Sequence, residues 1–291
     1  MRARTSYRLL PVAAAVLMLA TACGGSSKST TTTSEPGAHP LASLLPQAIR
    51  DKGTLVVGSD VAYAPVEYFD TDGKTIVGID PDLGKALGDE LGIKLEFQNN
   101  TFDGLITSLT KSKRIDLIMS AMSDNKKRQA EIDFVDYFTA GTSIIVKKGT
   151  TGIGSLDDFC GKTIALQQGT TQDDVATAQA AKCGSKKLNI LKFKTDPEAL
   201  LQVKSGRAVA DMNDFPVAAY TTQKDSSFEV VGEQIEAGPY GIGVRKTDTQ
   251  LRDALQKALQ ALIDNGEYAK IMTKWKTEAG AVKTATINAG T

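Results

Sequence analysis

Short apolar runs and amphipathic segments alternate along this chain from residue 54 onward. Thr54–Gly58 and Ile115–Met119 have the length and composition of buried strands. Leu83, Leu87 and Leu91 instead recur every fourth residue, as on the buried face of a helix. The same order resumes after residue 149. Such alternation predicts an α/β fold with mostly parallel sheets, in which ligands bind at the carboxyl ends of the strands.

Two Asp-Pro pairs predict where helices begin. Asp80-Pro81 and Asp196-Pro197 each open a helical segment, so we expect the aspartate to be the N-cap and the proline the first helical residue. Further strands are expected at residues 94–98, 162–166, 188–193, 209–212 and 240–245, and a long amphipathic helix at residues 248–264.

The composition narrows the classes of function. The 34 lysines and arginines balance 34 aspartates and glutamates, so the chain lacks the basic surplus that non-specific nucleic-acid binding needs. One histidine and three cysteines leave little material for a zinc site or a Cys–His nucleophile. We therefore expect no nucleic-acid partner, no metal and no cofactor. The 291 residues suit about two domains.

The start of the chain is typical of an exported protein. Its first eight residues carry three arginines and no acid, and the apolar segment that follows ends at Ala22-Cys23-Gly24. This ending resembles the lipobox of bacterial lipoproteins. We therefore expect a signal peptide at residues 1–22 and lipidation of Cys23, and the alternative is a plain secretion signal. Residues 23–40, rich in Ser, Thr and Gly and including His39, are expected to form a disordered tether.

Export affects the interpretation of the other two cysteines. Cys160 and Cys183 would then lie outside the reducing cytoplasm, with residues 161–182 between them. We expect a disulfide, which would contribute roughly 3 kcal/mol through loop closure. The alternative, a metal site, would need further ligands that this region does not supply.

The turn after the third predicted strand has the features of an anion-binding site. Hydroxyl groups, including that of Ser123, precede a helix start at which Asn125 is the expected N-cap. Arg128 lies about one turn into that helix. Helix N-termini attract anions, and arginine has a forked pair of donors that suits a carboxylate. The alternative is a solvated helix in which Arg128 pairs with Asp133 or Asp136.

Other strand ends carry complementary groups. Asp60 and Tyr63 follow the first strand. Gln167–Thr171 follows the strand at residues 162–166, and Thr170 or Thr171 can cap the next helix. Asp214 follows a later strand, and its carboxylate suits an ammonium group, with N-capping as its other role. An arginine from one half and an aspartate from the other predict a zwitterion held between two lobes.

Six segments, in order along the chain, resemble one protein family. They are Asp60–Glu67, Val77–Leu83, Phe102–Ile106, Ile115–Arg128, Gln168–Thr171 and Gly266–Trp275. Each resembles the corresponding segment of the family 3 solute-binding proteins of bacterial amino-acid ABC importers. The resemblance runs from about residue 50 to residue 276.

The resemblance implies a periplasmic-binding-protein-like α/β fold, with two α/β lobes, a ligand cleft and two crossing hinge strands. Lobe 1 is expected to be discontinuous, at residues 41–139 and 238–280, and lobe 2 to lie at residues 140–237. Residues 281–291 are expected to be a C-terminal tail. We expect a monomer that closes over one free amino acid.

The resemblance also implies which residues bind the two charges of the amino acid. Arg128 is expected to bind the α-carboxylate, with help from Ser123 and Thr171. Asp214 and the backbone near Ala121 are expected to bind the α-ammonium group.

A second set of residues would surround the ligand side chain. Tyr63 and Phe102 are expected to enclose it, and Asp60 and Gln167 to face its far end. Ser120 and Thr170 complete the predicted ligand-binding set. Because no lysine or arginine is expected at the far end, we predict a polar or cationic ligand of the glutamine, arginine, lysine and histidine class.

The family implies a lipoprotein without catalytic residues. It would be anchored through Cys23 at the outer face of the cytoplasmic membrane and would deliver its ligand to the permease of an ABC importer. One alternative is a periplasmic enzyme on the same scaffold, such as a dehydratase, with Glu67 or Asp60 as the catalytic carboxylate. The other is a receptor lipoprotein that reports the ligand to a membrane partner.

Overall fold

The structure, a computed structural model, describes His39 and residues 41–291. Residues 39–291 form one compact unit with its own apolar cores. The predicted signal peptide, Cys23 and the predicted tether apart from His39 lie outside the described residues. His39, predicted as part of the tether, is exposed, and its Nδ1 atom lies 2.6 Å from the carbonyl oxygen of Asp89.

Strands and helices alternate through most of the described chain, which confirms the predicted α/β class. The strands are β1 (Thr54–Ser59), β2 (Ala62–Tyr63), β3 (Glu67–Phe69), β4 (Ile76–Val77), β5 (Lys94–Asn99), β6 (Leu117–Ile118), β7 (Ile132–Lys147), β8 (Thr163–Gln167), β9 (Asn189–Phe193), β10 (Ala210–Asp214), β11 (Phe228–Arg245) and β12 (Ala281–Ile287). The α-helices are α1 (Gln47–Lys52), α2 (Ile79–Leu91), α3 (Leu105–Thr110), α4 (Lys126–Gln129), α5 (Thr171–Lys182), α6 (Asp196–Ser205), α7 (Phe215–Lys224), α8 (Thr249–Asp264) and α9 (Glu267–Trp275). No helix in the described part of the chain has both the length and the apolar character needed to cross a bilayer.

One sheet runs through the molecule in the order β5-β1-β6-β11-β7-β10-β8-β9, with β12 paired to β7. β5, β1 and β6 are mutually parallel, as are β10, β8 and β9. The long strands β7 and β11 pair antiparallel between these two groups. We call the group with β5, β1 and β6 lobe 1, together with the segments that precede β7 and the helix α9 that packs on α2. The group with β10, β8 and β9 is lobe 2.

The two long strands have the position predicted for the crossing hinge strands. The predicted lobe borders, at residues 139/140 and 237/238, fall inside β7 and β11, where Ala140 pairs with Gly238. Each lobe also has a core of its own. Leu83 and Leu87 of α2 are fully buried in the largest cluster, and Ile164 of β8 is buried in a separate one.

Both Asp-Pro helices begin near the predicted positions, but the predicted N-caps are wrong. Thr195 occupies the N-cap of α6 in a capping box, and Gly78 occupies that of α2 with a φ of 139°. A Cβ atom at Gly78 would lie 2.1 Å from the carbonyl oxygen of Val66, so only glycine fits this close approach. Asp80 lies inside the helix and accepts a hydrogen bond from the backbone N–H of Ala121 at 3.3 Å.

The predicted C-terminal tail is wrong for most of its length. Ala281–Ile287 form β12, which pairs with β7. The sequence did not reveal this strand because it lacks an apolar alternation, and Ala285 is its one buried residue.

The predicted disulfide between Cys160 and Cys183 is confirmed. It connects the residue that follows a short 3-10 helix, Leu156–Phe159, to the residue that follows α5. Both ends of the bond therefore belong to lobe 2, and the bond stabilises that lobe without crossing the hinge.

Candidate ligand-binding site

A small cavity lies at the carboxyl ends of strands from both lobes. It is lined by every residue of the predicted ligand-binding set: Asp60, Tyr63, Phe102, Ser120, Ala121, Ser123, Arg128, Gln167, Thr170, Thr171 and Asp214. Glu67 and Gln172 also line it. The turns after β1, β6 and β8 and the end of β10 supply most of these side chains, as expected for parallel strands whose carboxyl ends meet.

The Arg128 guanidinium is buried and held by backbone oxygens from both lobes. Asn125 caps α4 as predicted, since its Oδ1 atom accepts a hydrogen bond from the Arg128 backbone N–H at 2.9 Å. The guanidinium donates to the carbonyl oxygen of Ser123 at 2.8 Å and to that of Gly169 at 3.2 Å. Burial lowers the pKa of Arg128 to about 10, so the side chain remains a cation at neutral pH.

The alternative ion pair of Arg128 with Asp133 or Asp136 is not formed among the described residues. Asp133 pairs instead with Lys246 at 3.1 Å and with Arg252 at 2.8 Å. Asp136 accepts hydrogen bonds from the Thr286 hydroxyl in β12 and from the Ala289 backbone N–H after it. The guanidinium of Arg128 is therefore directed to the cavity, 5.4 Å from the centre of the Phe102 ring.

Asp214 ends β10 and is held by donors from both lobes. Its carboxylate accepts hydrogen bonds from Gln172 Nε2 at 2.7 Å and from the Tyr63 hydroxyl at 3.1 Å. The Tyr63 hydroxyl in turn accepts from the Asp214 backbone N–H at 2.9 Å. Asp214 occupies the N-cap position of α7, but its side chain makes no capping hydrogen bond there. Burial raises the pKa of Asp214 to about 6.

Asp60 begins a chain of buried polar groups in lobe 1. Its carboxylate accepts a short hydrogen bond from Gln167, and its backbone N–H donates to Ser120 Oγ at 2.8 Å. The Ser120 hydroxyl donates to Glu67 Oε1 at 3.1 Å. Burial raises the pKa of Asp60 to about 6.

Glu67 is a third buried carboxyl in the cavity. It is almost fully buried, with 1% of its surface exposed. Burial, followed by the charge of the adjacent Asp80, raises the pKa of Glu67 well above its usual range. Burial therefore favours the neutral form of Glu67, whereas Asp60, with a pKa of about 6, is mostly ionised at neutral pH.

The two threonines of the Gln167–Thr171 turn have different contacts. Thr170 caps α5, since its Oγ1 atom accepts from the Asp173 backbone N–H at 3.2 Å and donates to the carbonyl oxygen of Gln167 at 2.8 Å. Thr171 Oγ1 lies 3.5 Å from Ser123 Oγ. The hydroxyl of Thr171 is therefore the one that faces the anion-binding turn.

One protein family matches this chain over the residues that form both lobes and line the cavity. The family model of the bacterial extracellular solute-binding proteins, family 3, matches residues 55–278. The chain belongs to this family.

This solute-binding protein is similar to the arginine-binding extracellular protein ArtP of Bacillus subtilis, with 34% identity over 78% of this chain and 87% of that protein. Among solved structures, an ancestral arginine-binding protein bound to arginine has 37% identity and a TM-score of 0.73, over 77% of this chain and 98% of that chain. An ancestral amino acid-binding protein, a precursor of cyclohexadienyl dehydratase, has 36% identity and a TM-score of 0.71, over 78% and 97%. These likenesses confirm the predicted two-lobed fold.

The lobes of the solute-binding protein also touch around the cavity. Lys127 pairs with Asp174 at 2.9 Å, and both side chains are exposed. The Tyr68 ring of lobe 1 lies 6.1 Å from that of Tyr220 in α7 and, edge-on, 6.2 Å from the indole of Trp275. Lobe 1 and lobe 2 are thus in contact both inside and outside the cavity.

Sequence reasoning missed two residues that line the cavity. Glu67 was considered only as a candidate catalytic group, because nothing in its sequence context shows that it is buried beside Ser120. Gln172 lies in the first turn of α5, one residue after Thr171. The first turn of a helix that starts at a ligand-facing strand end is a signal that could have found Gln172.

Proposed function

We propose that this solute-binding protein captures one free amino acid with a cationic side chain by closure of its lobes and delivers it to the permease of an ABC importer. Arg128, helped by Ser123 and Thr171, is assigned to the α-carboxylate. Asp214 and the backbone near Ala121 are assigned to the α-ammonium group. The arrangement that carries the proposal is a buried arginine and a buried aspartate from opposite lobes in one cavity.

The choice of a cationic side chain rests on the other carboxyls. Arg128 is the one lysine or arginine among the described residues that line the cavity, whereas Asp60 and Glu67 both line it. The charges that shift the pKa of Arg128 include that of Asp214. The charges that shift the pKa of Asp60 are those of Asp103 and Glu198, which are also negative. An acidic ligand side chain near Asp60 would meet like charge, and a guanidinium or ammonium would meet opposite charge. The arginine-binding relatives support the same choice.

Thermal shift and calorimetry with residues 39–291 test the ligand class. We expect arginine and lysine to bind more tightly than glutamine, and each to stabilise the protein by about 2.7 kcal/mol at a concentration of ~100 times its Kd. Arginine is expected to bind tightest, because its guanidinium can reach both oxygens of a carboxylate. A preference for glutamine, glutamate or aspartate over arginine and lysine would overturn the assignment.

We also propose a lipid anchor at Cys23 and a role in import. The full chain should partition into the detergent phase and gain the mass of a diacylglyceryl group, and Cys23→Ser should abolish both. Deletion of the gene should abolish high-affinity uptake of the ligand. Unchanged uptake together with loss of a ligand-dependent response would favour a receptor instead.

The dehydratase precursor among the similar structures favours one second candidate, an enzyme on the same scaffold. Glu67 is the buried carboxyl, with a raised pKa, that such an enzyme would use as an acid. We propose that the protein binds without turnover, because Arg128 and Asp214 suit an intact zwitterion. Incubation with cyclohexadienyl substrates should therefore yield no product, and product formation that Glu67→Gln abolishes would establish the enzyme.

A further inference from the structure

A ring of hydrogen bonds closes behind the anion-binding turn, away from the cavity. The Gly290 backbone N–H donates to Asp124 Oδ2 at 2.8 Å. Gln129 Nε2 donates to Asp124 Oδ1 at 2.7 Å and to the carbonyl oxygen of Gly290 at 3.0 Å. Asp124 immediately precedes the N-cap of α4, and Gln129 is its last residue. The ring therefore ties together both ends of the segment that carries Arg128.

The residue before Gly290 also attaches the C-terminal segment, residues 286–290, to Asp136 of β7. The Ala289 backbone N–H and the Thr286 hydroxyl both donate to Asp136 Oδ2, at 3.1 Å and 3.0 Å. Burial raises the pKa of Asp136 to about 6, and the charge of the neighbouring Asp124 acts in the same direction. Ala289 and Gly290 thus supply backbone donors to two adjacent carboxyls that would otherwise repel each other and move the turn.

The contact at Gly290 leaves no room for a side chain. A Cβ atom at this position would lie 2.1 Å from the carbonyl oxygen of Asp124 and 2.8 Å from its Cγ atom. Both atoms belong to the turn, and the nearer one is backbone, so a substitution must push the turn and the segment apart.

Displacement of Asp124 would reach the ligand through its two chain neighbours. Ser123 supplies the carbonyl oxygen that holds the Arg128 guanidinium, and Asn125 supplies the cap that holds the Arg128 backbone. Because Asp124 joins them, the two acceptors cannot keep their positions if Asp124 moves. Neither Ala289 nor Gly290 lines the cavity.

We infer that Ala289 and Gly290 are positioning residues for the α-carboxylate site, which they hold from behind through Asp124 and Asp136. This inference rests on the proposed function. It predicts that a change at residue 290 alters recognition of the ligand carboxylate more than it alters the fold or the rest of the site.

Gly290→Ala in residues 39–291 tests the inference, with Gly154→Ala as the matched control. Gly154 is exposed and a Cβ atom there would meet nothing within 4 Å. We expect Gly290→Ala to weaken L-arginine binding about tenfold by calorimetry. Its effect on agmatine, which is arginine without the α-carboxylate, should be less than about twofold. Amide exchange of the Arg128 N–H should be faster in Gly290→Ala, while that of Val57 in β1 stays unchanged.

Each outcome decides the inference. Equal losses for arginine and agmatine, or wild-type arginine affinity with wild-type exchange at Arg128, would overturn it. If Gly290→Ala does not fold, a chain that stops after Asn288 keeps β12 and removes the same donors, and the same readouts apply. If the wild-type protein binds no amino acid, the proposed function fails. Exchange at Arg128 then decides the positioning role alone, and an unchanged rate refutes it.

Discussion

Asp60 and Asp214 have similar positions in the two lobes, but their carboxylates accept hydrogen bonds from different partners. Each follows or ends a parallel strand, one in lobe 1 and one in lobe 2, and burial raises the pKa of each to about 6. Asp214 accepts hydrogen bonds from Gln172 of its own lobe and from Tyr63 of the other. The side-chain donor to the Asp60 carboxylate, Gln167, comes from the opposite lobe.

This difference separates two tasks of the site. The contact between Asp214 and Gln172 lies within lobe 2, so we expect it to persist when the lobes separate. The contact between Asp60 and Gln167 requires closure. We therefore expect Asp214 to bind the α-ammonium group, which all amino acids share. We expect Asp60 to bind the side chain, which distinguishes them, once the lobes have closed.

The largest effect is expected from loss of Arg128. By holding the α-carboxylate, this residue would orient the ligand towards both Asp60 and Asp214. Arg128→Ala should weaken binding of every amino acid at least ~100-fold, because a buried charge-assisted pair is lost. The melting temperature should stay close to that of the wild type. Lys111→Ala, at an exposed residue that does not line the cavity, is the control. Wild-type affinity in Arg128→Ala would refute the assignment of the α-carboxylate.

Asp214→Asn should have the next largest effect. It keeps the shape of the side chain and removes the charge that attracts the α-ammonium group, so we expect a loss of about 10- to 100-fold. The loss should be similar for arginine and glutamine by calorimetry, since both carry the α-ammonium group. A loss confined to arginine would reverse the comparison between the two aspartates.

Asp60→Asn should change selectivity more than affinity. Arginine and lysine are expected to bind about tenfold more weakly, and glutamine within about twofold of the wild type. Competition between labelled arginine and unlabelled glutamine measures this ratio directly. Equal losses for all three ligands would show that Asp60 does not face the variable side chain.

The smallest effect is a difference in pH dependence. A cation beside either carboxylate lowers its pKa from about 6, so the complex binds fewer protons than the free protein, and affinity rises with pH until about 6. Arginine meets both carboxylates and glutamine meets Asp214 alone. Below about pH 6, arginine affinity should therefore fall more steeply, by up to ~tenfold per pH unit for each carboxylate. Parallel curves from titrations at about pH 5 to 8 would contradict this.

The sequence was sufficient to locate the cavity because strand ends in parallel sheets converge. Each of the turns that contribute Asp60, Arg128, Gln167 and Asp214 follows a recognisable apolar run. The cap at Asn125 was also predictable, since it depends on residues three apart in sequence.

The rest depends on contacts between distant segments. Glu67 is buried by Ser120 and Asp80, and local patterns carry no signal of that burial. The N-cap of α2 is Gly78, where the backbone of Val66 lies so close that no side chain fits. This contact outweighs the preference of the Asp-Pro pair for the N-cap and first helical position. β12 is a strand because β7 is beside it, whatever its own weak periodicity.

The aromatic contact between the lobes gives the protein an intrinsic optical probe. Trp275 is the chain's single tryptophan, and its indole N–H is fixed to Asp82 at 2.7 Å. Its neighbour Tyr68 touches Tyr220 of the other lobe, so the surroundings of the indole change when the lobes separate. Tryptophan emission should therefore follow opening and closing in real time without an attached dye, and Tyr220→Leu should diminish the signal while the indole stays in place.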